Sequence, residues 1–413
     1  MIGKRIVLCI IAFSMMFTIV ASASESDITD VNGNVATEYY SDDLYQLPEV
    51  AQANAVPASA APEVGSKSAV LMEASTGKVL FEKNSHEKLS PASITKIMTL
   101  LIIIEAIDKG KISMKDVVAT SPHAASMGGS QIWLEPKETM TVNELLRAAA
   151  IASANDASVA LAEFIAGSEE AFVDMMNQRA KELGMKDTVF KNACGLDTEG
   201  HYTSAMDVAL ASRELISHDT IKQFSTVWMD SLRGGQTQLV NTNKLVRFYQ
   251  GCTGLKTGTT SKAGFCLSAT AKRGEMELVS VVMNSPSGDD RFNSARKLLD
   301  YGFANWNIAK PQIDEKSLAD VKVLHGTNPA VGIDMSENKS ILIKKGDEKK
   351  ITTKINVQTE ISAPVKEGQI LGNIDIMMDN QKIGTVDLYA VSSVDKVSFM
   401  YSLTELLKRL FTL

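Results

Sequence analysis

Ser90-Pro91-Ala92-Ser93-Ile94-Thr95-Lys96 opens onto an apolar run from Ile97 to Ile107, and this stretch decides how the rest of the chain is read. The run predicts a buried helix that ends near Gly110. Ser90 reads as its N-cap and Pro91 as its first residue, where a missing N–H costs nothing. On such a helix Ser93 and Lys96 share a face, one turn apart. That is the arrangement a serine nucleophile needs if a neutral lysine is to take its proton. A Ser-x-x-Lys spacing is common by chance, so its weight depends on what the remaining sequence supplies.

With 413 residues, 45% hydrophobic and 22% charged, the chain has enough apolar material for two or more domains with real cores. Residues 1–23 carry a basic start (Lys4, Arg5), an apolar core from Ile6 to Val20 and a closing Ala21-Ser22-Ala23, which fits a secretory signal peptide. The other reading of this segment is an uncleaved membrane anchor, and either implies export. The formal net charge is −7, but eight acidic residues and no Lys or Arg fall between Ser24 and Gly65. The acidity thus belongs to residues 24–65, an Ala/Pro-rich stretch read as a disordered spacer, and the body is close to neutral. No basic stripe suggests nucleic acid. The five histidines show no metal-ligand spacing, so neither a metal nor a cofactor is expected. Outside the signal, Cys194, Cys252 and Cys266 are an odd number at irregular spacing, which argues against a disulfide framework.

In chain order, Ser68 to Lys83 reads as a β-hairpin around Gly77. A loop-rich stretch from Val117 to Met140 follows the Ser93 helix. Thr141-Val142-Asn143-Glu144 is a capping-box signature for a helix that delivers Ser153-Ala154-Asn155. Further helices are expected from Ala157 to Ile165, from Glu169 to Leu183 with Ser168 as cap, and from Ser204 to Ile216. Strands are expected at Lys244–Val246, Gly254–Thr259, Phe265–Ala271 and Met276–Met283, then a helix from Asp289 to Phe303. The pattern predicts an α/β domain whose antiparallel sheet draws on both ends of residues 66–308. Residues 311–395 alternate in short runs and predict a small all-β domain. Within residues 396–413, Phe399, Leu403, Leu406, Leu407, Leu410 and Phe411 share one face of an amphipathic helix. It suits the membrane interface or a docking site on the protein's own surface.

Three polar elements stand at element boundaries: Ser93-x-x-Lys96, Ser153-Ala154-Asn155 and Lys256-Thr257-Gly258. Their joint occurrence is characteristic of penicillin-binding proteins and serine β-lactamases. Residues 66–308 resemble the D-alanyl-D-alanine carboxypeptidases, the low-molecular-mass penicillin-binding proteins. Gly195-Leu196-Asp197, Asn243-Lys244-Leu245, Gly254 to Thr260 and Lys262-Ala263-Gly264-Phe265 add to the match. The all-β segment and terminal helix are similar to this family's tail.

The resemblance implies a catalytic domain with an antiparallel sheet flanked by helices, and a specific chemistry. Ser93 attacks the carbonyl between the terminal D-alanines of a peptidoglycan stem peptide and forms an acyl-enzyme. Lys96 is the base, kept neutral by burial and by a second cation, Lys256. Ser153 relays the proton to the leaving amine, and Asn155 bonds the peptide or Lys96. Lys256, Thr257, Gly258 and Thr259 bind the substrate, with the terminal carboxylate on Lys256, Thr257 and Thr259. The oxyanion hole is the N–H of Ser93 and of Thr259, each such donor contributing about 3–4 kcal/mol. Arg291 is either a further carboxylate contact or a surface ion-pair partner, and Cys194 either a reactive thiol or an inert buried one. β-Lactam antibiotics would be covalent inhibitors, and residues 397–413 would hold the enzyme on the outer face of the cytoplasmic membrane.

The alternatives are a serine β-lactamase, a D,D-endopeptidase and a non-catalytic wall-binding protein. Against the first, Asp197-Thr198-Glu199-Gly200 lacks the Glu-x-x-x-Asn pattern that β-lactamases use to hydrolyse their acyl-enzyme. Against the last, all the motif residues are present.

Overall fold

The computed structural model describes residues 61–310, 313, 318–335 and 341–411, leaving aside the side chains of 405–407 and 409–411. The expected signal peptide and nearly all of the acidic spacer lie outside the described residues.

The first hairpin forms as expected, with β1 (Ser68–Glu73) antiparallel to β2 (Val79–Lys83). The chain then enters α1 (Lys96–Asp108) through a 3₁₀ turn at Ala92–Thr95. Next come β3 (Val117–Ala119), α2 (Pro122–Ala125) and β4 (Thr139–Thr141), with β3 and β4 paired. Helices α3 (Val142–Ile151), α4 (Asn155–Ala166), α5 (Glu169–Glu182), α6 (Ala205–Ser217) and α7 (Asp219–Ser225) follow. The hairpin of β5 (Met229–Leu232) and β6 (Thr237–Val240) precedes α8 (Leu245–Phe248). Three long strands, β7 (Cys252–Thr260), β8 (Gly264–Arg273) and β9 (Met276–Ser285), lead into α9 (Gly288–Asn305) and β10 (Trp306–Ala309).

The central sheet has the order β2-β1-β9-β8-β7, antiparallel throughout. Both of its faces are covered, which explains why β1 is buried at every position rather than at every second one. Val70 and Met72 face the helical core with Ile97, Leu101 and Leu145, while Ala69 and Leu71 face α9 through Leu298 and Leu299. Helix α1 is itself enclosed on nearly all sides, so a polar side chain in its first turn is forced out of water.

Side-chain cap geometry appears at the starts of α3, α5 and α6, the first two as expected. Thr141 and Glu144 close a full capping box, and Ser168 and Ser204 accept the N–H groups of Ala171 and Asp207. Two local readings are corrected. Ser90 does not cap the helix: its hydroxyl donates to Asp197 Oδ1 at 2.9 Å. Ala92 takes φ +48°, so no regular helix can begin at Pro91. Lys244–Val246 is not a strand but leads into the short α8, because Asn241 and Asn243 accept the N–H groups of Asn243 and Leu245 and turn the chain.

Beyond β10 the chain forms β11 (Val321–Leu324), β12 (Ala330–Val331), β13 (Ile333–Met335), β14 (Ile341–Lys344), β15 (Ile351–Val357), β16 (Glu360–Ser362), β17 (Ile370–Met378) and β18 (Gln381–Ala390). These make the C-terminal all-β part, with two small cores of its own. Strand β10 pairs with β14, which fastens it to the end of α9. The last element, α10 (Phe399–Phe411), leaves Phe399 and Met400 exposed, and Tyr401 donates to the Thr327 carbonyl at 3.0 Å. Among the described residues no helix is long and apolar enough to cross a membrane.

Candidate active site

Lys96 occupies the first turn of α1, fully buried. Its Nζ lies 3.0 Å from Ser93 Oγ, 2.5 Å from Asn155 Oδ1 and 2.8 Å from the Cys194 carbonyl. As an ammonium it spends all three hydrogens on these acceptors. As a free amine it has only two, which the two carbonyl oxygens take, and its lone pair is left for the Ser93 hydroxyl. Burial lowers the Lys96 pKa to about 8, with Cys194 and Asp156 pulling the other way.

Lys256 is also fully buried, on β7, and among the described residues its Nζ finds no hydrogen-bond partner. Its pKa falls well below the ordinary lysine value, first through burial and then through the charges of Lys96 and Arg291. Burial is the largest cause at both lysines, and at Lys96 it brings the free amine within reach of mildly alkaline pH. A buried cation without a partner favours a bound anion.

Ser153 joins α3 to α4 in a left-handed conformation, φ +64°, where glycine would be unstrained. Its buried hydroxyl also lacks a protein partner among the described residues. Such strain is held in place by its surroundings: Ala154 N–H returns to the Ala148 carbonyl at 3.1 Å, and Asn155 N–H donates to the Ser130 carbonyl at 2.7 Å. Asn155 Nδ2 donates to the Gly128 carbonyl at 2.6 Å, so both ends of this amide are engaged, with Lys96 on the oxygen side.

Edge strand β7 comes close because Gly258 has no side chain; a Cβ there would stand 2.9 Å from both the Pro91 carbonyl oxygen and Ser93 N. Thr257 beside it is buried and Thr259 is exposed. The Thr259 hydroxyl accepts from Arg291 Nη1 at 3.0 Å, which ties the residue from α9 into the rim of the cleft.

Some of the wiring was not read from the sequence. Asn192 Oδ1 accepts the N–H groups of Cys194, Gly195 and Leu196 and shapes the loop that brings the Cys194 carbonyl to Lys96. The Asp156 carboxylate accepts from Ile132, Leu134 and Ala157 N–H. An acid next to the Ser-x-Asn element was the available signal for Asp156. A backbone carbonyl such as that of Cys194 has none. The Cys194 thiol is free and buried, and burial raises its pKa, as for an inert thiol. Among the described residues one grouping of ligand-type side chains, Glu105, Glu214 and His218, lies within 4.8 Å. Arg179 already occupies it, with ion pairs of 2.7 and 2.6 Å to the two glutamates.

A Ser-Lys pair at the head of a buried helix, a strained Ser-x-Asn corner and an edge strand with a buried lysine define an active-site-serine acyl transferase of the penicillin-interacting kind. The chain belongs to the D-alanyl-D-alanine carboxypeptidase family, whose model matches residues 55–287; residues 310–396 match the C-terminal domain of penicillin-binding protein 5. The D-alanyl-D-alanine carboxypeptidase DacF of Bacillus subtilis is 48% identical over 338 residues, 81% of this chain and 87% of that protein. DacC of Escherichia coli is 34% identical over 347 residues, 82% of this chain and 86% of that one. Among solved structures, penicillin-binding protein 5 from Haemophilus influenzae superposes with a TM-score of 0.72 at 29% identity, covering 82% of this chain and 100% of that one. Penicillin-binding protein D2 from Listeria monocytogenes, in its ampicillin-bound form, gives 0.54 at 31% identity, covering 59% of this chain and 100% of that one.

Proposed function

We propose that this chain is a serine-type D-Ala-D-Ala carboxypeptidase that removes the terminal D-alanine from peptidoglycan stem pentapeptides. The observation that carries this reading is the buried Lys96, 3.0 Å from Ser93 Oγ with its pKa lowered to about 8. As free amine, Lys96 takes the Ser93 proton while Oγ bonds to the penultimate D-alanine carbonyl carbon. Ser153 gives its proton to the nitrogen of the breaking C–N bond and takes the proton from Lys96 in its place, and D-alanine leaves. Water then cleaves the ester and returns the proton to Ser93. Lys256, Thr257 and Thr259, with Arg291 behind Thr259, hold the terminal carboxylate; the cluster of Lys96, Lys256 and Arg291 supports an anionic ligand. Gly258 lets β7 approach the nucleophile. The N–H groups of Ser93 and Thr259 receive the oxyanion. β-Lactams, which carry a carboxylate beside a strained amide, acylate the same serine.

Export is supported by the apolar run from Ile6 to Val20 behind Lys4 and Arg5, and association with the outer face of the membrane by the exposed apolar side chains of α10. We take residues 66–308 as the catalytic domain, 311–395 as the all-β domain and 396–413 as the anchor. Mass spectrometry of a pentapeptide incubated with purified protein tests the activity. Loss of one D-alanine, abolished by Ser93→Ala, is expected. Persistent release in Ser93→Ala would exclude Ser93 as nucleophile, and cleavage of cross-bridges alone would make the enzyme an endopeptidase.

A further inference from the structure

Of the three tryptophans, Trp228 and Trp306 have buried indole nitrogens, whereas Trp133 is 69% exposed. It is also left-handed, φ +59°, an uncommon conformation for a bulky residue. Its neighbours Ile132 and Leu134 are both buried. The turn is fixed from two sides. Asp156 takes the N–H groups of Ile132 and Leu134, and Arg233 donates to the carbonyls of Ile132 at 2.8 Å and Trp133 at 3.3 Å while bound to Glu138. A strained backbone, tied down so that one large apolar ring faces water, is the signature of a contact site rather than of packing.

The segment leading into the turn is joined to the active site through Asn155. Three residues upstream, the Ser130 carbonyl accepts from Asn155 N–H, and the Gly128 carbonyl from the Asn155 side chain. A Cβ on Gly129 would lie 3.8 Å from Leu196, on the opposite loop. Three residues of chain span at most about 11 Å, so Trp133 sits within that distance of Ser130. A stem peptide whose fourth residue is at Ser93 reaches about 13 Å back to its sugar. Gln131, half-buried two residues before Trp133, is a neutral polar residue on the same short segment. A rigid indole with a neutral polar companion fits the C–H face and hydroxyls of a pyranose better than the acidic stem peptide.

We infer that Trp133 is a carbohydrate contact for the glycan strand of the peptidoglycan substrate, an inference that rests on the reading of the site proposed above. Trp133→Ala should lower kcat/KM about tenfold on a disaccharide pentapeptide, mainly through KM, and leave the sugar-free pentapeptide within twofold. Trp133→Phe should restore most of the loss. Equal losses on both substrates, or none on either, would overturn the assignment. A second readout is independent of turnover: in the Ser93→Ala protein, a disaccharide tetrapeptide should quench tryptophan emission, and the additional Trp133→Phe change should abolish that quench. Absence of a sugar-dependent quench sinks the contact even if D-alanine is released. Its presence in a protein that releases none sinks the proposed activity instead.

Discussion

Gly195 lies directly against Ala92: a Cβ on Gly195 would fall 1.9 Å from the Ala92 carbonyl oxygen and 3.0 Å from Ser93 N. The loop that supplies the Cys194 carbonyl to Lys96 is thus pressed onto the backbone of Ser93, the proposed nucleophile, at φ +92°.

Gly195→Ala is expected to lose covalent labelling by fluorescent penicillin and to lower the melting temperature, because the clash is with backbone and the left-handed conformation costs at least about 1 kcal/mol more. Gly234→Ala is the control. It is also left-handed, φ +65°, but nothing lies within 4 Å, so labelling should be retained.

The rate of acylation should rise with pH and level off above the Lys96 pKa of about 8. Below that value the folded lysine holds its proton and cannot accept one from Ser93; at pH 7 roughly one tenth is free amine. Asn155→Asp would set a carboxylate 2.5 Å from Nζ, raise the lysine pKa by about 1–3 units and move the rise to higher pH. Stopped-flow acylation across pH 6–10 measures both curves. A wild-type rate independent of pH would remove Lys96 as base.

Asp197 Oδ1 accepts from Ser90 Oγ at 2.9 Å and from Thr260 Oγ1 at 3.0 Å, joining the segment before Ser93 to the end of β7. Asp197→Ala should reduce the acylation rate several-fold while stability changes by no more than about 1 kcal/mol, since the carboxylate is exposed. Ser90→Ala combined with Thr260→Val should reproduce the loss and add nothing to Asp197→Ala. Additive losses would mean the three side chains act separately.

His201 is buried beneath the 3₁₀ turn, 3.0 Å from Thr95 Oγ1, and burial lowers its pKa to about 4. The folded protein keeps it neutral while the unfolded chain takes up a proton near pH 6.5, so stability falls as pH drops from 6.5 to 4. The full effect is about 3 kcal/mol. Urea titrations of His201→Gln should show a shallower decline over that window. An unchanged slope would assign the acid sensitivity to other groups.

Truncation after Asp395 removes α10 with its exposed Phe399 and Met400. Fractionation should then recover the protein in the soluble phase, with pentapeptide hydrolysis unchanged. Retention on membranes would show that another segment is the anchor.

Sequence alone determined the elements that depend on local chemistry. The apolar run after Lys96, the capping box at Thr141–Glu144 and the short apolar runs of β8 and β9 specify helices and strands through contacts a few residues apart. Two of the three motifs were legible because each sits at the end of such an element; Lys256-Thr257-Gly258, expected at a boundary, lies inside β7. The β5–β6 hairpin and α7 escaped, being short and weakly patterned, and Ser90 was misread because its partner, Asp197, is 107 positions away. Only the tertiary structure decided the chemical state of the site. Whether Lys96 is a base depends on the closure of the core around α1, on the Cys194 carbonyl and on Asn155, 59 residues downstream. A pKa is set by desolvation and by neighbours in space. The order of residues along the chain fixes neither until the fold has brought them together.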